Sequence, residues 1–445
     1  MLPQDPNASL LARALLQKVD LSLLDREGFR PQLHPSECLV LLHIHALPSN
    51  VWLLERLIRL GFRPQSIIVV PKKYSTIPPV QQQIRELGCV FIDTDLRLFR
   101  PGSYDQYAER TLQQAVLRAQ GSCHDNIRRC ILVDCGGMLT DNWSRLNKRT
   151  PPDTISVQQT TSGLNPARLR SAVHRISVAT SAAKRIFEPK TIVDGVLRKV
   201  SDLRLLDQDH RVAVIGLGAI GSRLAKELVA TQRQIFTYDI IEGKDVPGTV
   251  RKSSWQECVN AADIVFGCTG RNFMHADIKS IREMRRQKKF VSLSSRDIEF
   301  KSLLNEYRGT DPYNSFANIR VCVEKHISHT VLNGGFPINF DRKREWEEGA
   351  EISLTRAIVV LGVLQSLCIP VTDQQSIIEK LALKSQQRLS EEWLKINNYS
   401  PSDFFMHPEY CRDKRWWSTE SRLDAEITLS QTKLLGVSNR LKCAS

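Results

Sequence analysis

The 445-residue chain lacks the sequence signals of several protein classes. Its sequence has no continuous apolar run of the roughly 18 to 20 residues that span a bilayer, and its start, MLPQDPNASLLARALL, does not resemble a secretory signal. Its eleven cysteines include no C-x-x-C pair, which argues against a zinc site or a disulfide framework. We therefore expect a cytoplasmic protein with reduced thiols, no structural metal and no membrane association.

The composition, with 42% hydrophobic and 25% charged residues, is that of an ordinary soluble protein. No internal repeat or low-complexity segment is evident. Basic residues outnumber acidic ones by 62 to 48, which gives a formal net charge of +14. The basic run from Arg282 to Lys289 is predicted to be the solvated face of a helix, because no nucleic-acid motif accompanies it. We therefore expect a small-molecule substrate rather than nucleic acid.

Short apolar runs alternate with segments of helical character along most of the chain. Such alternation predicts parallel sheets with helices on both faces. The sequence therefore predicts an α/β fold with two doubly wound, Rossmann-like domains. The predicted strands begin near Cys38, Ser66, Cys89 and Cys130 in the first unit and near Val212, Ile235, Ala262 and Lys289 in the second, and Glu351 to Leu367 is predicted to be a long buried helix.

The segment RVAVIGLGAIGSRLAKELVATQRQIFTYD, from Arg211 to Asp239, contains a complete dinucleotide-binding pattern. A buried strand is followed by Gly216, Gly218 and Gly221, spaced as G-x-G-x-x-G at the entrance to a helix. The first glycine permits a tight turn, the second lets backbone approach a pyrophosphate, and the third allows close packing of helix on strand. This unit predicts a nucleotide site, although a Rossmann-like domain with an empty groove is the alternative.

The acid that follows the next strand indicates which nucleotide is bound. A carboxylate at Asp239 accepts hydrogen bonds from the adenosine ribose and repels a 2′-phosphate, so we predict NAD. Lys244, five positions later, leaves NADP open.

Residues directly after predicted strands are candidate ligand contacts, because doubly wound sheets bind ligands beyond the carboxyl ends of their strands. His45 is one of them, and a histidine at this position suits proton transfer near neutral pH or contact with substrate. His43 and His45 form a poor metal chelate, since alternate residues of a strand face opposite ways. The other candidates are Cys135, the polar run 158–163, Cys268 to Gly270, and the pair Ser294 and Ser295.

Several segments together resemble S-adenosylhomocysteine hydrolase, from about Cys38 to Leu367. The similar pieces occur in the same order as in that family: QQTTSGL at Gln158, ISVATSAAK ending at Lys184, TIVDGV at Thr191, GLGAIG at Gly216 and GGFPINF ending at Phe340. The resemblance implies an NAD-binding Rossmann domain, 189–349, inserted into a discontinuous catalytic domain, 37–188 with 350–396. An N-terminal segment, 1–36, and a C-terminal tail, 397–445, complete the predicted organisation.

The resemblance also implies roles for individual residues. Enzymes of this family use a bound NAD to oxidise a ribose hydroxyl transiently. Lys184 matches the lysine that manages the hydroxyl proton, Glu188 matches its partner, and His45 matches an active-site histidine. The fingerprint, the strand ends and the resemblance together predict these cofactor contacts: Thr160, Thr161, Ser162, Gly216, Gly218, Ala219, Ile220, Gly221, Asp239, Thr269, Gly270, Ser294, Ser295 and Asn339.

The substrate side departs from the family. Gln159 replaces a glutamate, Cys135 replaces an aspartate and Ser295 replaces a histidine, and no later histidine follows Asn339 at the matching position. A glutamine can hydrogen-bond a hydroxyl but cannot take a proton. Gln159 and Cys135 are predicted to contact substrate. The tail is unlike the family's, so its tetramer is not implied, and a homo-oligomer is left open.

We therefore predict a diverged NAD-dependent enzyme that oxidises, stably or transiently, a secondary hydroxyl of a nucleoside-like or small polar substrate. One alternative is a true adenosylhomocysteinase, which converts S-adenosylhomocysteine to adenosine and homocysteine. Another is a non-catalytic NAD-binding sensor or scaffold. A 2-hydroxyacid dehydrogenase is disfavoured, because Arg271, Glu299 and His326 or His329 match its catalytic order without matching surroundings.

Overall fold

The computed structural model describes residues 6–93, 99–122, 126–146, 153–164, 173–274, 284, 286–307, 316–324, 327–370 and 377–400. Residues 282, 283 and 285 of the basic run at 282–289, His326 and the tail beyond residue 400 lie outside these residues. Within them the chain forms two sheets of seven strands each. The predicted α/β class with two doubly wound units is confirmed by this arrangement.

The first sheet is built by the outer parts of the chain. Its strands are β1 (Cys38–Ile44), β2 (Ile67–Pro71), β3 (Val90–Phe91), β4 (Arg129–Asp134), β5 (Asp153–Gln158), β6 (His174–Ser177) and β14 (Ile378–Lys380). They lie in the order β14-β6-β5-β4-β1-β2-β3, and every neighbouring pair is parallel. The carboxyl ends of all seven strands therefore share one edge.

The second sheet is built by the middle of the chain. Its strands are β7 (Val212–Ile215), β8 (Ile235–Tyr238), β9 (Val250–Arg251), β10 (Ile264–Gly267), β11 (Lys289–Ser292), β12 (Ile319–Glu324) and β13 (Ile327–Val331). Their order is β12-β13-β11-β10-β7-β8-β9, and only β12 runs antiparallel to its neighbour. The glycine loop follows β7, near the centre of this sheet.

Helices cover these sheets, as parallel pairing requires. The helices in the described residues are α1 (Pro6–Gln17), α2 (Leu21–Asp25), α3 (Pro48–Arg59), α4 (Pro78–Glu86), α5 (Tyr104–Gly121), α6 (Met138–Leu146), α7 (Ala182–Asp202), α8 (Ala219–Val229), α9 (Trp255–Ala261), α10 (Lys301–Asn305), α11 (Gly349–Cys368) and α12 (Leu383–Ile396).

Helix α11 is the core helix of the first sheet. All twenty of its residues are buried, and it packs against α1, α3, α7 and α12. It is the one helix in the described part of the chain that is long and apolar enough to cross a membrane by length and composition. Its complete burial is that of a core element, which agrees with the prediction of a buried helix here.

Helix α7 runs without interruption across the predicted boundary at residues 188 and 189. Ser181 caps it by accepting a hydrogen bond from the Lys184 amide at 3.3 Å, and Pro189 lies inside it. The TIVDGV segment at Thr191, which matches a helix start in the resembling family, therefore lies in the second half of an existing helix. One rigid element thus joins the two predicted domains.

Aromatic side chains pack between the two sheets. Tyr74, after β2, stacks on Phe336 from the second sheet, with ring centroids 4.8 Å apart. Nearby, the Arg296 guanidinium donates to both carboxylate oxygens of Asp105 at 2.9 and 2.7 Å. These contacts join the loop after β2 to the segment after β13, and the start of α5 to the loop after β11.

Candidate functional site

The glycine loop after β7 has little room for side chains at two of its three glycines. Gly216 adopts φ +92°, and a Cβ there would lie 2.9 Å from the backbone carbonyl of Cys268. A Cβ on Gly221 would lie 1.9 Å from the carbonyl oxygen of Gly216. At Gly218, by contrast, a Cβ would meet nothing within 4 Å. Side chains are therefore excluded at Gly216 and Gly221 by neighbouring backbone, whereas the space beside Gly218 is open.

Gly218 is also the N-cap of α8, and no side chain caps that helix. The predicted contacts Ala219 and Ile220 form the first turn of α8, where backbone N–H groups lack partners within the helix. An anion above Gly218 would meet these donors and the positive end of the helix dipole.

Asp239 follows β8 and closes the same loop. Its Oδ2 accepts a hydrogen bond from the Leu217 amide at 2.6 Å, and its Oδ1 accepts one from the Ile241 amide at 2.8 Å. A cation that the sequence reasoning missed lies here: Arg251 donates to the carbonyl oxygens of Asp239 and Lys244 at 3.0 and 2.7 Å. A positive charge from β9 therefore lies beside the Asp239 backbone.

A buried carboxyl supports the strand ends on the other side of the loop. The Glu299 side chain accepts hydrogen bonds from the Thr269 hydroxyl at 2.9 Å and the Gly270 amide at 2.5 Å, and from the Ser294 hydroxyl. Burial raises the pKa of Glu299 to about 7. Glu299 thus bonds to three predicted cofactor contacts, Thr269, Gly270 and Ser294. From the sequence alone, Glu299 is considered only as a possible residue of a 2-hydroxyacid dehydrogenase. The fourth predicted contact, Ser295, is half-buried beside the other three.

At the carboxyl edge of the first sheet, the predicted Lys184 and Glu188 lie together. Lys184 Nζ is 3.1 Å from Glu188 Oε1 and donates to the Gln159 carbonyl oxygen at 2.6 Å. Thr355 of α11 donates to the same Glu188 oxygen at 3.3 Å. Both charged side chains are largely buried. The pair is held by α7, α11 and the end of β5.

The polar run after β5 is divided between buried and exposed residues. Gln159 is only 6% exposed, and its Nε2 has no hydrogen-bond partner among the described residues. Thr160 and Ser162 share a hydrogen bond of 3.0 Å between their hydroxyls, and Thr161 and Ser162 are exposed. Gln159 therefore has an amide free to bind a ligand, while the hydroxyls face outward.

His45 lies at the end of β1 among aromatic rings and cations. Its Nδ1 is 2.7 Å from the Ser75 hydroxyl, and its ring stacks on Phe340 with centroids 4.2 Å apart. Burial lowers the pKa of His45 well below its usual value, and the nearby cations, Lys72 first among them, lower it further. The predicted titration near neutral pH needs revision, because the environment holds His45 neutral there. His43 lies instead 3.9 Å from the Asp134 carboxylate.

Asn339 is buried and engaged by a second carboxyl that the sequence reasoning missed. Its Nδ2 donates to Glu347 Oε1 at 2.5 Å. Burial, followed by the charge of Glu345, raises the pKa of Glu347 to about 7. No local signal near residue 347 distinguishes this glutamate from its neighbours in the printed sequence.

The structure thus gathers the predicted residues into two groups. The glycine loop, Asp239, Thr269, Gly270 and Ser294 line the carboxyl edge of the second sheet. His45, Cys135, Gln159, Lys184 and Glu188 line the edge of the first, and Phe340 and Arg296 reach across to that edge. No group of three or more His, Cys, Asp or Glu side chains placed to hold a metal occurs in the described ranges.

Known proteins resemble the chain only at a distance. No family model matches it. The chain is 26% identical over 362 residues to two uncharacterized proteins of Mycobacterium tuberculosis, MT0113 and Rv0104, and the alignment covers 79% of this chain and 69% of each relative. The names of these relatives state no function.

Similar solved structures include the dipicolinate synthase A chain from Bacillus subtilis, with 13% identity, TM-score 0.36, and coverage of 74% of this chain and 95% of that one. They also include a D-isomer specific 2-hydroxyacid dehydrogenase from Lactobacillus delbrueckii ssp. bulgaricus in its NAD complexed form, with 12% identity, TM-score 0.29, and coverage of 81% and 98%. An NAD-dependent formate dehydrogenase from Staphylococcus aureus gives 11% identity, TM-score 0.31, and coverage of 75% and 98%. The fold class itself follows from the strand order and parallel pairing of the two sheets.

Proposed function

We propose that the chain binds NAD at the second sheet and uses it to oxidise, stably or transiently, a secondary hydroxyl of a nucleoside-like or small polar substrate. The observation that carries the proposal is the glycine loop. Its backbone is crowded by neighbouring atoms at Gly216 and Gly221 and is open to a ligand at Gly218. In this proposal the chain is a diverged relative of the S-adenosylhomocysteine hydrolases.

The residues present fit a dinucleotide. The uncapped first turn of α8 would hold the pyrophosphate, because its backbone N–H groups are free to donate. Each carboxylate oxygen of Asp239 accepts one backbone hydrogen bond and retains a lone pair for a ribose hydroxyl. NAD would supply a hydride acceptor. The Asp239 carboxylate favours NAD over NADP, although Arg251 places positive charge close by.

Oxidation of a hydroxyl also requires a base, and Lys184 is the candidate. As a neutral amine, Lys184 would take the hydroxyl proton at Nζ, and the Glu188 carboxylate 3.1 Å away would orient it and stabilise the ammonium that forms. The Gln159 carbonyl oxygen fixes Nζ from the other side at 2.6 Å. The free amide of Gln159 would donate to a second hydroxyl of the substrate.

The substrate side favours oxidation over hydrolysis. Cys135 and Gln159 supply no carboxylate there, and His45 is held neutral. Glu188 is the nearest acid, and it is paired with Lys184. A full adenosylhomocysteinase reaction, which also needs proton transfers for elimination and hydration, therefore ranks second. A non-catalytic NAD sensor is the third candidate.

The cofactor proposal is tested by denaturing the purified protein and identifying any released nucleotide by its mass. Titration calorimetry with NAD and NADP then compares the two on protein freed of nucleotide. We expect NAD to bind at least about tenfold more tightly, because the Asp239 carboxylate repels a 2′-phosphate. Absence of both released and bound nucleotide would remove the proposal.

The base is tested by Lys184→Met, with Lys190→Met as the matched control. Lys190 lies on the same helix and forms the same kind of ion pair, with Asp194 at 2.5 Å. We expect K184M to slow formation of reduced nicotinamide by about 10²-fold or more and to leave NAD binding unchanged, while K190M stays near the wild-type rate.

The substrates for this comparison are adenosine, S-adenosylhomocysteine and a panel of small polyols, and free thiol is measured beside reduced nicotinamide. Reduction without thiol release supports the proposal, whereas thiol release supports the hydrolase. Equal rates in wild type and K184M would eliminate Lys184 as the base.

A further inference from the structure

A cysteine, a lysine and a histidine meet at the carboxyl edge of the first sheet, beside the proposed base. Lys72, after β2, donates from Nζ to Cys135 Sγ at 3.0 Å. The Nε2 of His45, after β1, lies 4.0 Å from the same sulfur. Cys135 is 6% exposed and Lys72 is 2% exposed. The strand order β4-β1-β2 brings the three side chains together, although His45 and Cys135 are 90 positions apart in the sequence.

The loop that carries Cys135 is stabilised by its glycines and by hydrogen bonds to the Asp134 carboxylate. Gly136 and Gly137 adopt φ +124° and +82°, which glycine tolerates and other residues rarely do. The buried Asp134 carboxylate accepts hydrogen bonds from the Gly137 amide at 3.1 Å and the Thr140 amide at 2.8 Å. The sulfur is therefore presented by a turn that its neighbours hold in one conformation.

Cys135 is the hydrogen-bond partner of the buried Lys72 ammonium. An unpaired ammonium in the interior costs several kcal/mol, so buried lysines have an anionic partner or lose their proton. Among the described residues no carboxylate forms an ion pair with Lys72. Burial acts to lower the pKa of Lys72, but Cys135 and then Tyr74 outweigh it and raise that pKa above its usual value. A cysteine beside a lysine ammonium is a stronger nucleophile than an isolated one.

Two buried donors lie near this group. The Tyr74 hydroxyl is completely buried; burial raises the pKa of Tyr74, and the Lys72 ammonium, close by, acts to lower it. The end of β5 lies beside Cys135, because the Gln159 backbone N–H donates to the Asp134 carbonyl at 2.9 Å, and the Gln159 side-chain amide has no hydrogen-bond partner among the described residues. Together with Lys72, these donors form a cradle for an oxygen that gains negative charge. The ammonium at 3.0 Å from the sulfur disfavours a metal cation there.

We propose that Cys135 is a nucleophile that adds reversibly to the carbonyl carbon of a small aldehyde. In this step a bond forms between Sγ and the carbonyl carbon, and the π pair moves to the oxygen. The oxygen takes a proton from the Lys72 ammonium, and the S–H proton of Cys135 passes to the resulting amine, so the step leaves a hemithioacetal and an ammonium. Tyr74 and Gln159 donate hydrogen bonds to that oxygen.

Addition to an aldehyde requires no leaving group and no oxidant, so the step needs no co-reactant beyond these side chains. The small exposed fraction of Cys135 admits only a small electrophile. The inference is independent of nucleotide binding, and both experiments below are performed without nucleotide.

The first experiment measures the alkylation rate of each cysteine by iodoacetamide near pH 7.5, with mass spectrometry to resolve the sites. Cys89 and Cys368 are matched controls, since they are 5% and 7% exposed, and burial raises their pKa values to about 12 and about 11. We expect Cys135 to react at least about tenfold faster than either control. An equal or slower rate at Cys135 would overturn the proposal.

Lys72→Met is expected to slow alkylation of Cys135 by about tenfold, because the ammonium is lost. The rates at Cys89 and Cys368 in the same sample report whether the variant is folded, since unfolding would accelerate both. An unchanged Cys135 rate in a folded variant would contradict the role of Lys72. The wild-type comparison tests the proposal even if K72M does not fold.

The second experiment identifies the substrate class with glycolaldehyde as the probe. Millimolar glycolaldehyde is expected to slow alkylation of Cys135 several-fold, to leave Cys89 unaffected and to lose its effect on dialysis. Absence of protection, or protection that survives dialysis, would overturn reversible addition to an aldehyde. Because no nucleotide is present, failure here leaves the NAD proposal standing, and absence of NAD binding leaves this one standing.

Discussion

Two glycines of the same loop, Gly218 and Gly221, have opposite surroundings. The α-carbon of Gly221 faces the carbonyl oxygen of Gly216 so closely that a Cβ would lie 1.9 Å from it. The α-carbon of Gly218 faces open space, and its φ of −69° is one that any residue adopts. Gly221 is thus required by the fold itself, whereas Gly218 is required only if a ligand approaches the backbone.

This contrast predicts different effects for Gly221→Ala and Gly218→Ala. G221A is expected to lower the free energy of unfolding by about 1 to 3 kcal/mol, because the loop must move to relieve the contact. G218A is expected to change it by less than about 1 kcal/mol. Urea denaturation measures both, and NAD titration of G218A is expected to show weaker binding with stability retained. Equal destabilisation by the two variants would contradict the assignment.

At the level of elements, two segments connect the sheets: helix α7 and the stretch from Phe340 to Glu348 that leads into α11. They meet where Glu347 packs against Gly195 of α7. A Cβ added to Gly195 would lie 3.1 Å from Glu347 Oε1. Glu347 is buried and bonded to Asn339 through Oε1, while its Oε2 has no partner in the described residues. The junction between the two connections therefore contains a carboxyl that favours its protonated form.

Glu347→Gln tests this junction through pH. The folded-state pKa of Glu347 is raised from 4.5 to about 7, so the unfolded chain ionises first as the pH rises. The stability that protonated Glu347 contributes is complete below pH 4.5 and is lost as the pH rises through about 7. Glutamine does not titrate, so the unfolding free energy of E347Q minus that of wild type is expected to increase by about 3 kcal/mol between these limits.

Urea denaturation of both proteins at about pH 4.5 and about pH 8 measures the change, and titrating groups that do not interact with Glu347 cancel in the difference. Any constant cost of the new amide also cancels. Glu391→Gln, on the exposed side of α12, is the control for a general effect of removing one glutamate. A difference for E347Q that is the same at both pH values would contradict a raised pKa.

At the scale of the whole molecule, a shared helix and side-chain contacts connect the two sheets. A single helix, α7, contributes to the cores of both, with Phe187 in the first and Val193 in the second. The stacking of Tyr74 on Phe336 and the pairing of Arg296 with Asp105 add further contacts between them. Unfolding of one sheet would therefore expose apolar surface of the other.

We accordingly expect one thermal unfolding transition by calorimetry, with equal calorimetric and van't Hoff enthalpies. NAD at about one hundred times its dissociation constant should stabilise the whole transition by about 2.7 kcal/mol. Two resolved transitions, of which NAD shifts only one, would contradict the coupling of the sheets.

The parts of the fold that could be predicted from the sequence are those encoded locally. The alternation of strands and helices, the glycine loop and the ion pair of Lys184 with Glu188 four residues later all depend on short spacings. The contact of Lys72 with Cys135 joins residues 63 positions apart, and that of Glu299 with Gly270 joins residues 29 apart. Both depend on which strands become neighbours, and strand order is a property of the assembled sheet. The neutral state of His45 was missed for the same reason, since both its burial and the cations around it depend on distant segments.

The complete burial of α11 has a consequence for synthesis on the ribosome. The strands β1 to β6 leave the exit tunnel long before residues 349–368 do, so the nascent first sheet lacks the helix that covers it. The second sheet, whose strands all lie between residues 212 and 331, has its whole sequence translated first. Translation that stalls before residue 368 would therefore release a chain with one finished sheet and one uncovered apolar face, a substrate for chaperones and proteases.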